Sequence, residues 1–188
     1  MENGEKRIIA LAGEMGSGKG TVAHYLVDKY RFSKIRMSDT LRDILDRLHL
    51  EVSRESMSKA SLMIRETFGQ DILSRVIADD ANAISGSVVI DGVRREEDIA
   101  KLTKEDHFSL VYIDVDERTR YDRLVSRAEN SGDDMKTFEE FQSEQNMEAD
   151  SRIQALRNQS VAVIRNNGDI SDLYTQIDAL IEKLYTKQ

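Results

Sequence analysis

The sequence predicts an α/β protein in which a parallel sheet lies buried between two layers of helices. Three observations lead there. Short apolar runs alternate with longer amphipathic stretches along the chain, the pattern of strands joined by helical crossovers. The runs at residues 7–12 (RIIALA), 87–91 (SVVID) and 108–115 (FSLVYIDV) are nearly continuous in apolar character, as strands covered on both faces are. The first run meets a glycine cluster and then a helix-forming stretch, which puts a tight loop at its carboxyl end.

The elements follow in order. After the strand at 7–12, a helix spans 18–29 with Val22, Leu26 and Val27 on one face. A weaker strand spans 32–37. Residues 39–84 read as almost wholly helical, with Gly69 as the break. The strand at 87–91 ends in a carboxylate. A helix over 96–103, the strand at 108–115 and a helix over 117–127 come next. Residues 128–136 (AENSGDDMK) are polar and read as a surface loop. Thr137 with Glu140 fits a capping box that opens another helix. A strand at 161–165, a turn at 166–169 (NNGD) and a helix over 170–184 close the chain. Ligands of such sheets sit beyond the carboxyl ends of the strands, so the loops after Ala12, Asp91 and Val115 are expected on one edge.

The bulk numbers exclude some classes. The 188 residues suit one domain. A net charge of -8 opposes the electrostatic footprint of a nucleic-acid binder. Cysteine is absent, which removes disulfides and thiol chemistry and suits a reducing compartment. No stretch has the apolar length of a membrane span, and Glu2, Glu5 and Lys6 interrupt any signal-peptide pattern. The expectation is a cytoplasmic protein, monomer or homodimer, without nucleic-acid or membrane partners. His24, His49 and His107 show no metal-ligand spacing.

The strongest motif is GEMGSGK at residues 13–19, between a strand and a helix. Gly13, Glu14, Met15, Gly16, Ser17 and Gly18 offer successive backbone N–H groups that can curl around phosphate oxygens. The following helix adds its free N–H groups and positive dipole end, and Lys19 reaches the terminal phosphates. The next residue is Gly20 where the motif has Ser or Thr; the hydroxyl comes one place later, as Thr21.

GxxGSGKGT resembles the loop of the nucleoside monophosphate kinase superfamily, which includes the adenylate kinases. The resemblance implies a three-layer α/β/α P-loop NTPase fold with a five-stranded parallel sheet. It further implies one domain over 1–188, with a helical acceptor-binding region at 38–84 and a short lid region at 128–150. ATP and Mg²⁺ are the implied cofactors, with Thr21 on phosphate and the metal held largely by nucleotide oxygens and water.

Phosphoryl transfer needs positioning and positive charge, and arginine grips phosphate bidentately. Arg42 follows the second strand in MSDTLR, and Arg94 follows the strand ending at Asp91 in VIDGVRR. The first segment is similar to the acceptor-side helix of nucleotide kinases. The second resembles the DGFPR element of adenylate kinases and the DVR element of viral-type deoxynucleoside monophosphate kinases. Both resemblances put an arginine on the acceptor phosphate. Arg123 and Arg127, four apart on one helix face, resemble the lid arginines that clamp ATP. Asp91 has two readings, a water-mediated Mg²⁺ ligand or a turn-forming Asp before Gly92. Asp39 also has two. It looks like the acidic residue of dephospho-coenzyme A kinases, a base for a hydroxyl acceptor, or the segment is a helix cap made by Ser38 or Asp39.

The expected activity is transfer of the γ-phosphoryl group of ATP to a small phosphorylated acceptor, a (deoxy)nucleoside monophosphate first. Dephospho-coenzyme A kinase is the alternative enzyme, and a regulatory P-loop ATPase without small-molecule acceptor is the alternative of another class. No Asn-Lys-x-Asp guanine motif is present.

Overall fold

The computed structural model describes residues 5–127, 137–146 and 150–186. Five strands form one all-parallel sheet: β1 Ile8–Ala12, β2 Ser33–Arg36, β3 Val88–Val93, β4 Phe108–Asp114 and β5 Ala162–Arg165, in the order β2-β3-β1-β4-β5. Central β1 has no polar side chain and is buried throughout. Edge strands β2 and β5 carry Lys34, Arg36 and Arg165 and are partly exposed.

Eight helices lie among the described residues: α1 Lys19–Tyr30, α2 Asp39–Arg47, α3 Arg54–Phe68, α4 Ile72–Ala83, α5 Glu117–Arg127, α6 Phe138–Asn146, α7 Asp150–Gln159 and α8 Ile170–Thr186. The two-residue period of the strands sorts their side chains into two cores. Ile9, Leu11, Val111 and Ile113 meet Val22 and Leu26 of α1 and Leu173 and Ile177 of α8. Ile8, Ala10, Ala12 and Tyr112 meet Leu41 of α2, Ile64 of α3, Ile77 of α4 and Leu156 of α7. The molecule is a three-layer α/β/α sandwich.

Three boundaries depart from expectation. The helical stretch 39–84 breaks twice, at residues 48–53 as well as at Gly69. His49 is left-handed (φ 55°) and the Ser53 hydroxyl caps α3 by accepting from Ser56 N at 3.1 Å. The helix expected over 96–103 is two short 3₁₀ turns, Glu96–Asp98 and Leu102–Lys104. Asp98 turns inward there, and its Oδ2 accepts from the backbone N–H of Arg94 (3.0 Å) and Arg95 (3.1 Å). Finally, β3 continues beyond Asp91 to Val93. Gly92 (φ 90°) forms an irregularity opposite Leu11/Ala12, so Asp91 is a strand residue and not the start of a turn. The capping box is present: Thr137 N donates to Glu140 Oε2 (2.8 Å) and Glu140 N to Thr137 Oγ1 (3.2 Å). Residues 128–136, the expected surface loop, lie outside the described residues. No described helix is long and apolar enough to cross a membrane.

Candidate active site

Parallel pairing puts the carboxyl ends of all five strands on one edge, and the loop at residues 13–18 leaves the middle of it. Glycine is required there by neighbours as well as by backbone angles. At Gly16 (φ 79°) a Cβ would stand 2.8 Å from Arg120 O, and at Gly13 (φ 145°) 2.6 Å from Ile113 O. Gly18 (φ 93°) precedes α1 and lies against Asn166 Nδ2. The loop is held by Ser17 N donating to Glu14 O (3.2 Å) and by Asn166 Nδ2 donating to Ser17 O (2.9 Å).

Lys19 opens α1 and folds back across the loop. Its Nζ donates to Gly13 O at 2.7 Å, to Glu14 O at 2.9 Å and to Ser17 Oγ at 3.4 Å. Burial pushes its pKa down to about 8. Asp91 and Glu14 oppose the shift, while Arg94 and Arg120 add to it. Lys19, Asp91 and Arg94 therefore occupy one electrostatic neighbourhood. The Asp91 carboxylate lies 3.5 Å from Lys34 Nζ, with both side chains largely buried. Arg94 is exposed at the end of β3. The turn that carries it is tied to α3 by a buried ion pair, Arg65 Nη2 to Asp98 Oδ1 at 2.6 Å.

Asp39 sits in the first turn of α2, where its Oδ2 accepts from Arg36 N at 2.9 Å and locks the β2–α2 corner. Neither it nor Ser38 caps the helix through a side chain hydrogen bond. Arg42 follows on α2, its Nε buried without a hydrogen-bond partner among the described residues. Arg123 on α5 donates from Nη2 to Asn166 O at 2.8 Å; its Nη1 is likewise buried without a partner, and burial pushes its pKa down. The Arg127 side chain lies outside the described residues. Thr21 is exposed on α1, and a Cβ at Gly20 would meet open space.

Arg120 was not among the expected site residues, and Asn166 stood in the expected turn at 166–169. Arg120 is 4% exposed, and its Nη2 pairs with Glu14 Oε2 at 2.9 Å. The available signal was Glu14 itself, because an acid inside an anion-binding loop needs a cation near it. Asn166 joins the loop to Arg123.

The residues fit a nucleotide polyphosphate: a glycine cradle with no room for side chains, a lysine bonded to the loop's own carbonyls, and buried guanidinium N–H groups on Arg42 and Arg123. For Mg²⁺ the candidate protein ligand is the Asp91 carboxylate, in the same electrostatic neighbourhood as Lys19. Among the described residues, no group of three or more Asp, Glu or His is placed to hold a metal.

Comparisons with known proteins bear on the family and the fold. A family profile described as AAA domain matches residues 12–142. A UPF0200 protein of Thermococcus kodakarensis is 25% identical over 186 residues, covering 96% of this chain and 99% of that protein. One from Staphylothermus marinus is 24% identical over 180 residues, covering 96% and 94%. Among solved structures, shikimate kinase from Bacteroides thetaiotaomicron superposes with a TM-score of 0.64 at 16% identity, covering 95% of this chain and 98% of that one. Shikimate kinase from Acinetobacter baumannii in complex with shikimate gives 0.60 at 15% identity, covering 97% of each. With its profile match spanning the phosphate loop, β3, β4 and α5, the chain belongs to the AAA domain family and has the fold of P-loop kinases.

Proposed function

We propose that this chain transfers the γ-phosphoryl group of ATP to a small phosphorylated acceptor, a (deoxy)nucleoside monophosphate being the first candidate. The observation that supports this most is the half-buried Lys19 ammonium, lying across a glycine cradle with Arg94 in its electrostatic reach. Such convergence stabilises charge spread over a phosphoryl group in flight.

In this reading the loop amides, Lys19 and Thr21 hold the β- and γ-phosphates. Arg123, beside the Asn166 turn, clamps the nucleotide, joined by Arg127. Arg42 and Arg94 orient the acceptor from the β2 and β3 side. Asp91 would hold Mg²⁺ through water, and the ion would supply positive charge to neutralise the phosphates. An acceptor oxygen forms a bond to Pγ as the Pγ bond to the β,γ-bridging oxygen breaks, and ADP leaves.

A hydroxyl acceptor such as dephospho-coenzyme A is the second reading, favoured by Asp39. Only its Oδ2 is engaged among the described residues, so Oδ1 can accept a hydroxyl proton.

The test is ADP release across a panel of ribo- and deoxynucleoside monophosphates plus dephospho-coenzyme A, for the parent and Asp39→Asn. A phosphate acceptor predicts stimulation by one monophosphate and nearly unchanged turnover in the variant. A hydroxyl acceptor predicts a loss of about 100-fold or more in the variant. Equal phosphate release with and without every acceptor contradicts both and leaves a regulatory ATPase.

A further inference from the structure

Glu14 is an acid inside the loop that must bind a polyanion. Its backbone belongs to the cradle, since its carbonyl accepts from Lys19 Nζ and Ser17 N. Its side chain is 13% exposed, so water screens it poorly. Left alone, that carboxylate would repel triphosphate.

The fold answers the charge from two helices. Arg120 of α5 meets Glu14 Oε2 at 2.9 Å, and Gln154 Nε2 of α7 donates to Oε1 at 2.9 Å. Arg120 is itself confined: its guanidinium lies 5.6 Å from the centre of the Phe141 ring, and its backbone carbonyl fills the space beside Gly16. At Lys19 the two charges act in opposite directions, Arg120 lowering the pKa and Glu14 raising it. Both oxygens of Glu14 are thus matched by donors on helices α5 and α7, the arrangement of a static charge partner.

Building on the phosphate-site reading, we infer that Arg120 is a positioning residue that cancels Glu14 and clamps the loop to α5. On this view it governs ATP affinity through Glu14, without touching phosphate. The pairing also explains why Arg120 stands three residues before Arg123 on the same helix: one serves the loop, the other faces the Asn166 turn.

The test is calorimetric titration of ATP with magnesium chloride, and no acceptor, into the parent, Arg120→Ala, Glu14→Gln and the double variant. Arg120→Ala is expected to weaken binding roughly 30-fold, because a buried charge loses its partner. Glu14→Gln removes the repulsion, so the double variant should return to within about 3-fold of the parent, a coupling that two independent sites would not show. A double variant as weak as Arg120→Ala overturns the inference, since Arg120 then acts on phosphate directly. So does an Arg120→Ala protein that binds like the parent. If Arg120→Ala does not fold, Arg120→Gln with and without Glu14→Gln gives the same comparison. Because no acceptor is present, failure of phosphoryl transfer does not affect this outcome. A parent that binds no ATP overturns the phosphate site and this inference together.

Discussion

Single residues carry the chemistry, and Lys19 is the most informative of them. Its pKa in the nucleotide-free protein is pushed down to about 8, first by burial. Phosphate oxygens beside the ammonium would raise it again. Above pH 8 binding must therefore take up a proton, so ATP affinity should fall by up to about tenfold per pH unit as pH rises past 8. Titrations at pH 7, 8, 9 and 9.5 check this, and a flat profile contradicts it. Stability follows the matching sign. The folded pKa lies below the ordinary lysine value of 10.5, so charged Lys19 costs stability below pH 8, and the cost fades as pH rises toward 10.5. Lys19→Met cannot titrate, so it should lose this part of the pH dependence of stability between pH 8 and 10.5, read by urea unfolding at pH 7 and pH 10. The Arg65–Asp98 pair has the opposite character. Both partners are buried and multiply bonded, so Asp98→Ala strands a buried guanidinium and should lose about 3–5 kcal/mol in urea unfolding.

Among the elements, the phosphate loop and α1 divide their glycines by physical need. Gly16 has a positive φ and Arg120 O in the way, whereas Gly20 is helical and faces open space. Gly20→Ala should add up to about 1 kcal/mol of stability, while Gly16→Ala should disorder the loop and abolish nucleotide binding; thermal melts with and without ATP separate the two. The elements also show which local signals suffice. Thr137 and Glu140 announced α6 because a capping box is complete within four residues. The second break in the helical region was hidden because Leu48 and Val52 continue the helical spacing of Leu41, Ile44 and Leu45 although Leu48 is exposed. The 3₁₀ turns were hidden because Asp98 is drawn inward by Arg65, which lies 33 residues away.

For the whole molecule, strand and helix types were readable from the period of apolar residues, and so was the shared edge of the loops after β1, β3 and β4. The strand order was not, because register and neighbours depend on contacts distant in sequence. The site divides in the same way. Lys19 and its glycines were evident because their geometry is local, but Glu14–Arg120 and Asn166–Ser17 join residues more than 100 positions apart. This architecture sets Arg42 and Arg94 on the β2–β3 side and Arg123 on the β4–β5 side. Arg94→Ala should accordingly raise the KM for the acceptor by about 10-fold or more with little change for ATP, and Arg123→Ala should do the reverse. Steady-state kinetics with each substrate varied in turn reads the difference.

The most direct test of the whole proposal is the affinity for ATP at pH 7 of the parent and of Lys19→Ala, measured side by side. The structure predicts saturable binding by the parent and a loss of at least about tenfold in the variant, whose cradle keeps its amides but lacks the ammonium. Equal affinity for the two proteins would contradict the placement of a polyphosphate in this loop.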